Sequence, residues 1–190
     1  MFLARSQLFS TGRMTANTTH AHAMDCAGLS ISNEMRDVLA RRFPDVPPDN
    51  LATRTREFLK FLALAARTDA VKLPIARELD EIWHAFILET EEYASLCCQA
   101  GKFVHHTAKH SVTSDDLLAQ LDDDLAFVVA YVDRFGAFPE SVITLWPAIG
   151  RLTNHLGMSV DGLIQFAQEL STRKQHVAQQ IGTNGSYQRL

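Results

Sequence analysis

The sequence contains few cysteines and no long run of apolar residues, and each absence excludes a class of protein. Three cysteines occur among the 190 residues, and two of them, Cys97 and Cys98, are adjacent. An odd set with adjacent members makes a poor disulfide framework, so we expect a reducing, cytoplasmic environment. No run of about 18 or more apolar residues occurs, so the sequence predicts no membrane-spanning helix.

An excess of positive charge and the common nucleotide-binding motifs are also missing. The formal net charge is -4 and the isoelectric point is about 6.0, which argues against a general nucleic-acid binder or a binder of acidic membranes. The sequence has no Gly-rich phosphate loop, no dinucleotide fingerprint and no Ser-His-Asp arrangement. The partner expected from the sequence is therefore an unidentified protein or small molecule.

Acidic residues are absent from the first 24 positions, which hold two arginines and many Ser, Thr, Ala and Asn residues. This composition predicts a disordered leader over residues 1–26, ahead of a helical domain over 27–178 and a flexible tail over 179–190. An organelle-targeting peptide is one alternative reading of the leader. A second alternative is that translation starts at Met14 or Met24.

The hydrophobic pattern of the remaining chain has a helical period, and no segment alternates convincingly as a strand would. The sequence therefore predicts a single all-α domain with strands that are minor at most. Proline, glycine and capping residues divide the chain into the following predicted helices: 29–43, 51–69, Pro74 to Leu88, a continuation capped by Thr90 and ended by Gly101, Ser114 to Gly136, 139–146 and 159–177.

The helix after Pro74 carries the residues of greatest chemical interest. At about 100° per residue its core stripe consists of Ile75, Leu79, Ile82 and Phe86. Its predicted solvated side consists of Glu78, Glu81, Ala85 and Glu89. Asp80 and His84 lie on neither side but at the edge of the core beside Trp83. A carboxylate that loses hydration there needs a partner, and His84 or a bound cation would serve.

The i, i+4 spacing of Asp80 and His84 brings their side chains to about 6 Å on one face, within reach of one metal ion. A protease of the His-Glu-x-x-His type is not supported, because the first position is aspartate. Further ligands are expected from His105 and His106, since the break at Gly101 would fold the chain back. If that segment is extended, the two histidines point to opposite sides and one of them ligates.

A set of one aspartate and two histidines suits non-haem iron or a catalytic zinc with an open position. Cys97 is a candidate fourth ligand, or a group that contacts the ligands, although both adjacent cysteines also fit as small buried hydrophobes. With an open position, metal-assisted hydrolysis and oxidation both remain open as activities. The alternative function is a metal-free interaction module, in which the same residues form a buried polar network that fixes the turn at Gly101.

One motif resembles that of a known protein family. It reads Asp80-x2-Trp83-His84-x2-Ile87-Leu88-x-Thr90-x2-Tyr93-x3-Cys97, followed by Gly101-x-Phe103-Val104-His105-His106. It resembles a bacterial family of small uncharacterised proteins related to the glycine-rich-domain-containing proteins of plants. The resemblance covers roughly 51–146, and the recurrence of Asp, His and His-His in it favours a zinc or iron site. The family pattern often continues from the paired histidines into proline, where this chain has Thr107-Ala108.

Overall fold

The structure is a computed structural model that describes residues 25–67, 75–106 and 117–184 of the chain. Two short strands come first, β1 (Asp25–Cys26) and β2 (Leu29–Ser30). The helices that follow are α1 (Asn33–Arg42), α2 (Pro48–Ala65), α3 (Arg77–Leu88), α4 (Thr90–Ala100), α5 (Leu117–Phe135), a 3-10 helix (Glu140–Leu145), α6 (Pro147–Leu156) and α7 (Val160–Asn184). The predicted all-α class is confirmed, and the strands are minor.

The two strands form a tight antiparallel hairpin in front of α1. Its turn residues Ala27 and Gly28 both have positive φ, 62° and 77°, as the mirror-image turns that match strand twist require. Ser32 then caps α1, because its hydroxyl accepts a hydrogen bond from the Met35 amide at 3.0 Å. The predicted first helix therefore begins at Asn33 rather than Leu29, and Asp25 and Cys26 pair in a strand although the leader was predicted to include them.

A single hydrophobic core joins the two halves of the chain. In one half α2 packs against α3, where the rings of Phe58 and Phe86 stack with centroids 4.9 Å apart. In the other half α5 packs against α6 and α7. Trp146, at the start of α6, is buried against Phe127 of α5 with centroids 4.8 Å apart. Aromatic side chains thus fill the space where the helices meet.

Two acidic side chains, Glu57 and Asp124, are buried among the described residues. Glu57 of α2 is 2% exposed. The Lys60 ammonium donates to its Oε1 at 2.8 Å, and the Tyr131 hydroxyl and Trp146 Nε1 donate to its Oε2 at 2.8 and 3.1 Å. A buried carboxylate with every partner in place is tolerated, whereas an unpaired one is costly. We call these four residues the Glu57 network. It ties α2 to α5 and α6.

Several local predictions differ from the structure. Ala85, predicted on the solvated side of α3, is fully buried, because α3 is covered on more than one side by α2, α4 and the 3-10 helix. Thr90 is the first residue of α4, and Glu89 holds the cap position. The last helix continues to Asn184, past its predicted end near residue 177 and into the predicted tail.

Other predictions fall outside the described residues or stay predictions. Pro74 and Ser114, predicted at helix starts, lie outside the described residues, as does nearly all of the leader. The division into leader, domain and tail stays a prediction. Within the described ranges, no helix combines the length and the apolar character needed to cross a membrane.

Candidate metal centre

Helix α3 presents Asp80 and His84 one turn apart on the same face. Both belong to its exposed flank: the side chain of Asp80 is 32% exposed and that of His84 is 51% exposed. On the adjacent face Trp83 is buried and its ring packs edge-on against Phe61, with centroids 5.0 Å apart. The packing of Trp83 therefore fixes the rotation of α3 and directs the Asp80–His84 pair toward the chain segment that follows α4.

The reversal after α4 depends on Gly101. This residue has φ 88°, a left-handed conformation that favours glycine, and its amide donates to carbonyls of the last turn of α4. The amide of Lys102 donates to the carbonyl of Cys97 at 3.1 Å, which closes the cap. Residues 103–106 then run back along α3. The turn predicted from Gly101 is thus what brings the paired histidines beside Asp80.

His106 completes the group, which we call the Asp80 cluster (Asp80, His84 and His106). Nε2 of His106 lies 2.9 Å from Oδ1 of Asp80. The imidazole rings of His84 and His106 have centroids 4.5 Å apart. Nδ1 of His84 lies 2.7 Å from the backbone carbonyl oxygen of Asp80 and 3.5 Å from its Oδ2. The side chain of His106 is 23% exposed, so the cluster opens to solvent on one side.

By donor type and proximity, the three side chains are a group that could hold a metal ion. Each offers one ligand atom, and these atoms lie within 4.8 Å of one another. An ion held at about 2.0 to 2.2 Å from nitrogen and oxygen ligands brings neighbouring ligand atoms to about 3 to 4 Å of one another. Side-chain rotations that move the ligand atoms by about 1 Å would therefore suffice.

The hydrogen bonds of the cluster assign protons to the imidazole nitrogens. A carbonyl oxygen only accepts, so Nδ1 of His84 donates to the Asp80 carbonyl and Nε2 keeps its lone pair when the ring is neutral. Metal-binding histidines commonly use one ring nitrogen in this way while the other ligates. Nε2 of His106 donates to the Asp80 carboxylate, so its proton would have to leave for that nitrogen to bind an ion.

A chain of two hydrogen bonds, which begins in the core, holds the segment that carries His106. The Tyr93 hydroxyl accepts from Nε1 of Trp83 at 3.0 Å and donates to the backbone carbonyl of Val104, two residues before His106. Burial raises the pKa of Tyr93 above its ordinary value, so the phenol stays protonated and can donate. The Trp83 ring also packs edge-on against His106, with centroids 4.5 Å apart. Tyr93 is therefore a positioning residue for His106.

The other two predicted ligands lie elsewhere. His105 is exposed and its ring faces Phe103, with centroids 4.9 Å apart, so the adjacent histidines point to different sides. Cys97 is buried beside Tyr93 and is not part of the Asp80 cluster, while Cys98 is exposed. Sequence reasoning gave Tyr93 no role. The signal available was its place on the apolar face of α4, where a buried hydroxyl must find a partner.

Comparison with known proteins identifies the family. The model of the UCP032817-like family matches residues 22–126, more than half of the chain. The chain belongs to the UCP032817-like family. The match spans the hairpin, α1 to α4 and the whole Asp80 cluster, and the description of the family names no reaction and no ligand. The relation to plant glycine-rich-domain-containing proteins stays a prediction. No curated protein and no solved structure matches the chain.

Proposed function

We propose that the protein binds a divalent zinc or iron ion through Asp80, His84 and His106. The observation that carries the proposal is the convergence of one carboxylate and two imidazoles, with ligand atoms within 4.8 Å of one another, on a face that solvent reaches. This donor set is the one used by non-haem iron sites, and three protein ligands with an open position also describe catalytic zinc.

An ion at this site would supply Lewis acidity and would lower the pKa of a bound water, which is the chemistry of metal-assisted hydrolysis. The chain's own residues have three roles in the proposal. Asp80 supplies negative charge, the Asp80 carbonyl orients His84, and Tyr93 positions His106. The choice between hydrolysis, oxidation and binding alone depends on the ion and on the unidentified partner.

Elemental analysis of the purified protein tests the proposal, and His105 gives a matched control. After expression with added zinc and iron, we expect about one ion per chain in the wild-type protein and in His105→Ala. We expect His106→Ala, one position along, to lose that ion because it removes a ligand. A wild-type protein that contains no metal after such expression would contradict the proposal. Equal metal content in His105→Ala and His106→Ala would also contradict it.

A metal-free interaction module is the second candidate function, and one observation favours it. The hydrogen bond between His106 and Asp80, at 2.9 Å, already satisfies the carboxylate without an ion. In this alternative the Asp80 cluster fixes the reversal after α4, and a surface next to it binds a protein partner. If elemental analysis finds no ion, His106→Ala should still lower the free energy of unfolding by about 1 kcal/mol in urea titrations, since one hydrogen bond to a charged group is lost.

A further inference from the structure

A cavity between α1 and the start of α2 has no part in the proposed metal site. Its volume is about 290 Å³, just below the range of about 300 to 1,000 Å³ that is typical of ligand pockets. Most of its lining is apolar and includes Leu39, Phe43, Val46, Leu51 and Ala52. A small molecule with an apolar body would fill such a space.

Among the residues that the structure describes, Arg36 is the charged residue in the lining of this cavity. Arg36 of α1 extends into the lining, and its Nε is buried with no hydrogen-bond partner among the described residues. No ion pair with an acidic side chain is found for Arg36 within the same ranges. A buried N–H without an acceptor is costly, because that donor has lost its hydrogen bond to water and gained no other, although Arg36 as a whole is only half-buried. The missing partner is an acceptor, and a carboxylate is the acceptor that matches a guanidinium best.

The electrostatics of the cavity favour the same ligand. Pro48 and Leu51, in the lining, belong to the first turn of α2, where the helix dipole places partial positive charge. Asp45 and Asp49 are nearby in sequence, but both are exposed and neither lines the cavity. The charge that the described residues present to the cavity is therefore positive.

We propose that this cavity binds a small monocarboxylate with an apolar body, whose carboxylate pairs with Arg36. The apolar part packs on Leu39, Phe43, Val46 and Leu51, while Nε of Arg36 donates to the carboxylate. The proposal does not rest on the metal site, and the two sites share no residue.

Calorimetric titration with octanoate and with 1-octanol tests this proposal on the full chain. A chelator is present throughout, so that binding of the carboxylate to a protein-bound metal ion does not contribute to the measured heat. We expect octanoate to bind the wild-type protein and to bind Arg36→Met at least about tenfold more weakly, since a charge-assisted hydrogen bond is lost. Octanol should bind the two proteins equally. Arg41→Met, at an exposed arginine of the same helix, should bind octanoate as the wild type does.

A second variant blocks the cavity without touching the charge. Ala52→Phe places a ring in the lining and should abolish binding of both octanoate and octanol, with folding checked by circular dichroism. Asp80→Ala should leave octanoate binding unchanged, which separates this site from the Asp80 cluster. The proposal is overturned if the wild-type protein binds no octanoate, if Arg36→Met binds it as tightly as wild type, or if Ala52→Phe still binds it.

Discussion

The Glu57 network and the Asp80 cluster each centre on one helical carboxylate, and they differ in what surrounds it. Glu57 is 2% exposed and both of its oxygens accept hydrogen bonds from Lys60, Tyr131 and Trp146. Asp80 is 32% exposed and contacts two imidazoles, a side chain type that can release a proton and bind metal. The Glu57 carboxylate has no oxygen left free to bind a metal ion, and its hydrogen bonds stabilise the fold. The Asp80 cluster could still bind an ion, and keeping it exposed costs the fold little stability.

Removing the buried Glu57 carboxylate is expected to have the largest effect. Glu57→Ala takes away the counter-charge of the partly buried Lys60 and the acceptor of the buried Trp146 Nε1. We expect the free energy of unfolding to fall by about 3 kcal/mol or more in urea titrations. Glu169→Ala, at an exposed acid of α7, serves as the control and should change it by less than about 0.5 kcal/mol. A small effect at Glu57 would show that the two carboxylates do not differ as we describe.

Zinc should stabilise the protein through the Asp80 cluster alone. At a free zinc concentration about 100 times the dissociation constant, binding to the folded state raises the free energy of unfolding by about 2.7 kcal/mol. We expect this gain in the wild-type protein and its loss in the double variant Asp80→Ala, His84→Ala. Without zinc, the double variant should lose about 1 kcal/mol in unfolding free energy, because Asp80→Ala removes the same hydrogen bond as His106→Ala. Thermal melts with and without zinc measure both values, and a zinc gain that survives in the double variant would place the ion elsewhere.

Tyr93 joins the stable interior to the exposed cluster, so its removal should affect both. Tyr93→Phe leaves the buried Trp83 Nε1 and the Val104 carbonyl without their partner. We expect a loss of about 1 to 2 kcal/mol in unfolding free energy and about tenfold weaker zinc binding. Zinc affinity is to be measured at a temperature where the variant is fully folded. Unchanged affinity under that condition would contradict the positioning role.

Substitution of Gly101 should have the smallest effect of the four predicted changes. Space for a Cβ exists at this residue, with no atom within 4 Å, so the cost of Gly101→Ala comes from its φ of 88° alone. We expect a loss of about 1 kcal/mol in unfolding free energy and a measurable fall in zinc affinity as the reversal shifts. Gly150→Ala, within α6 and also with open space around it, is the control and should stabilise slightly or have no effect. Equal effects at both glycines would argue against the role of the turn.

Much of this architecture follows from local sequence signals. The helical period gave the all-α class, the i, i+4 spacing placed Asp80 beside His84, and Gly101 gave the reversal, because each depends on residues close in the chain. The alternation of adjacent side chains in an extended segment also anticipated that His105 and His106 would point to different sides.

Features that depend on distant contacts were missed. Nothing near Glu57 in the sequence marks it as buried, since its partners Tyr131 and Trp146 lie far along the chain. Ala85 was placed on the solvated side of α3, because a helical projection cannot show that several neighbours cover the helix. The hydrogen bond from Tyr93 to Val104 was missed for a related reason, since it depends on how the chain returns after Gly101.

The distances along the chain that these two clusters span carry a consequence for folding order. Asp80 and His106 are 26 positions apart, whereas Glu57 contacts Tyr131 and Trp146 across 74 and 89 positions. Closing the shorter loop costs less chain entropy, by about 1 kcal/mol. We therefore expect amides of α3 and α4 to gain protection from hydrogen exchange earlier in refolding than those of α5. Asp80, His84 and His106 would then come together before Glu57 contacts Tyr131 and Trp146.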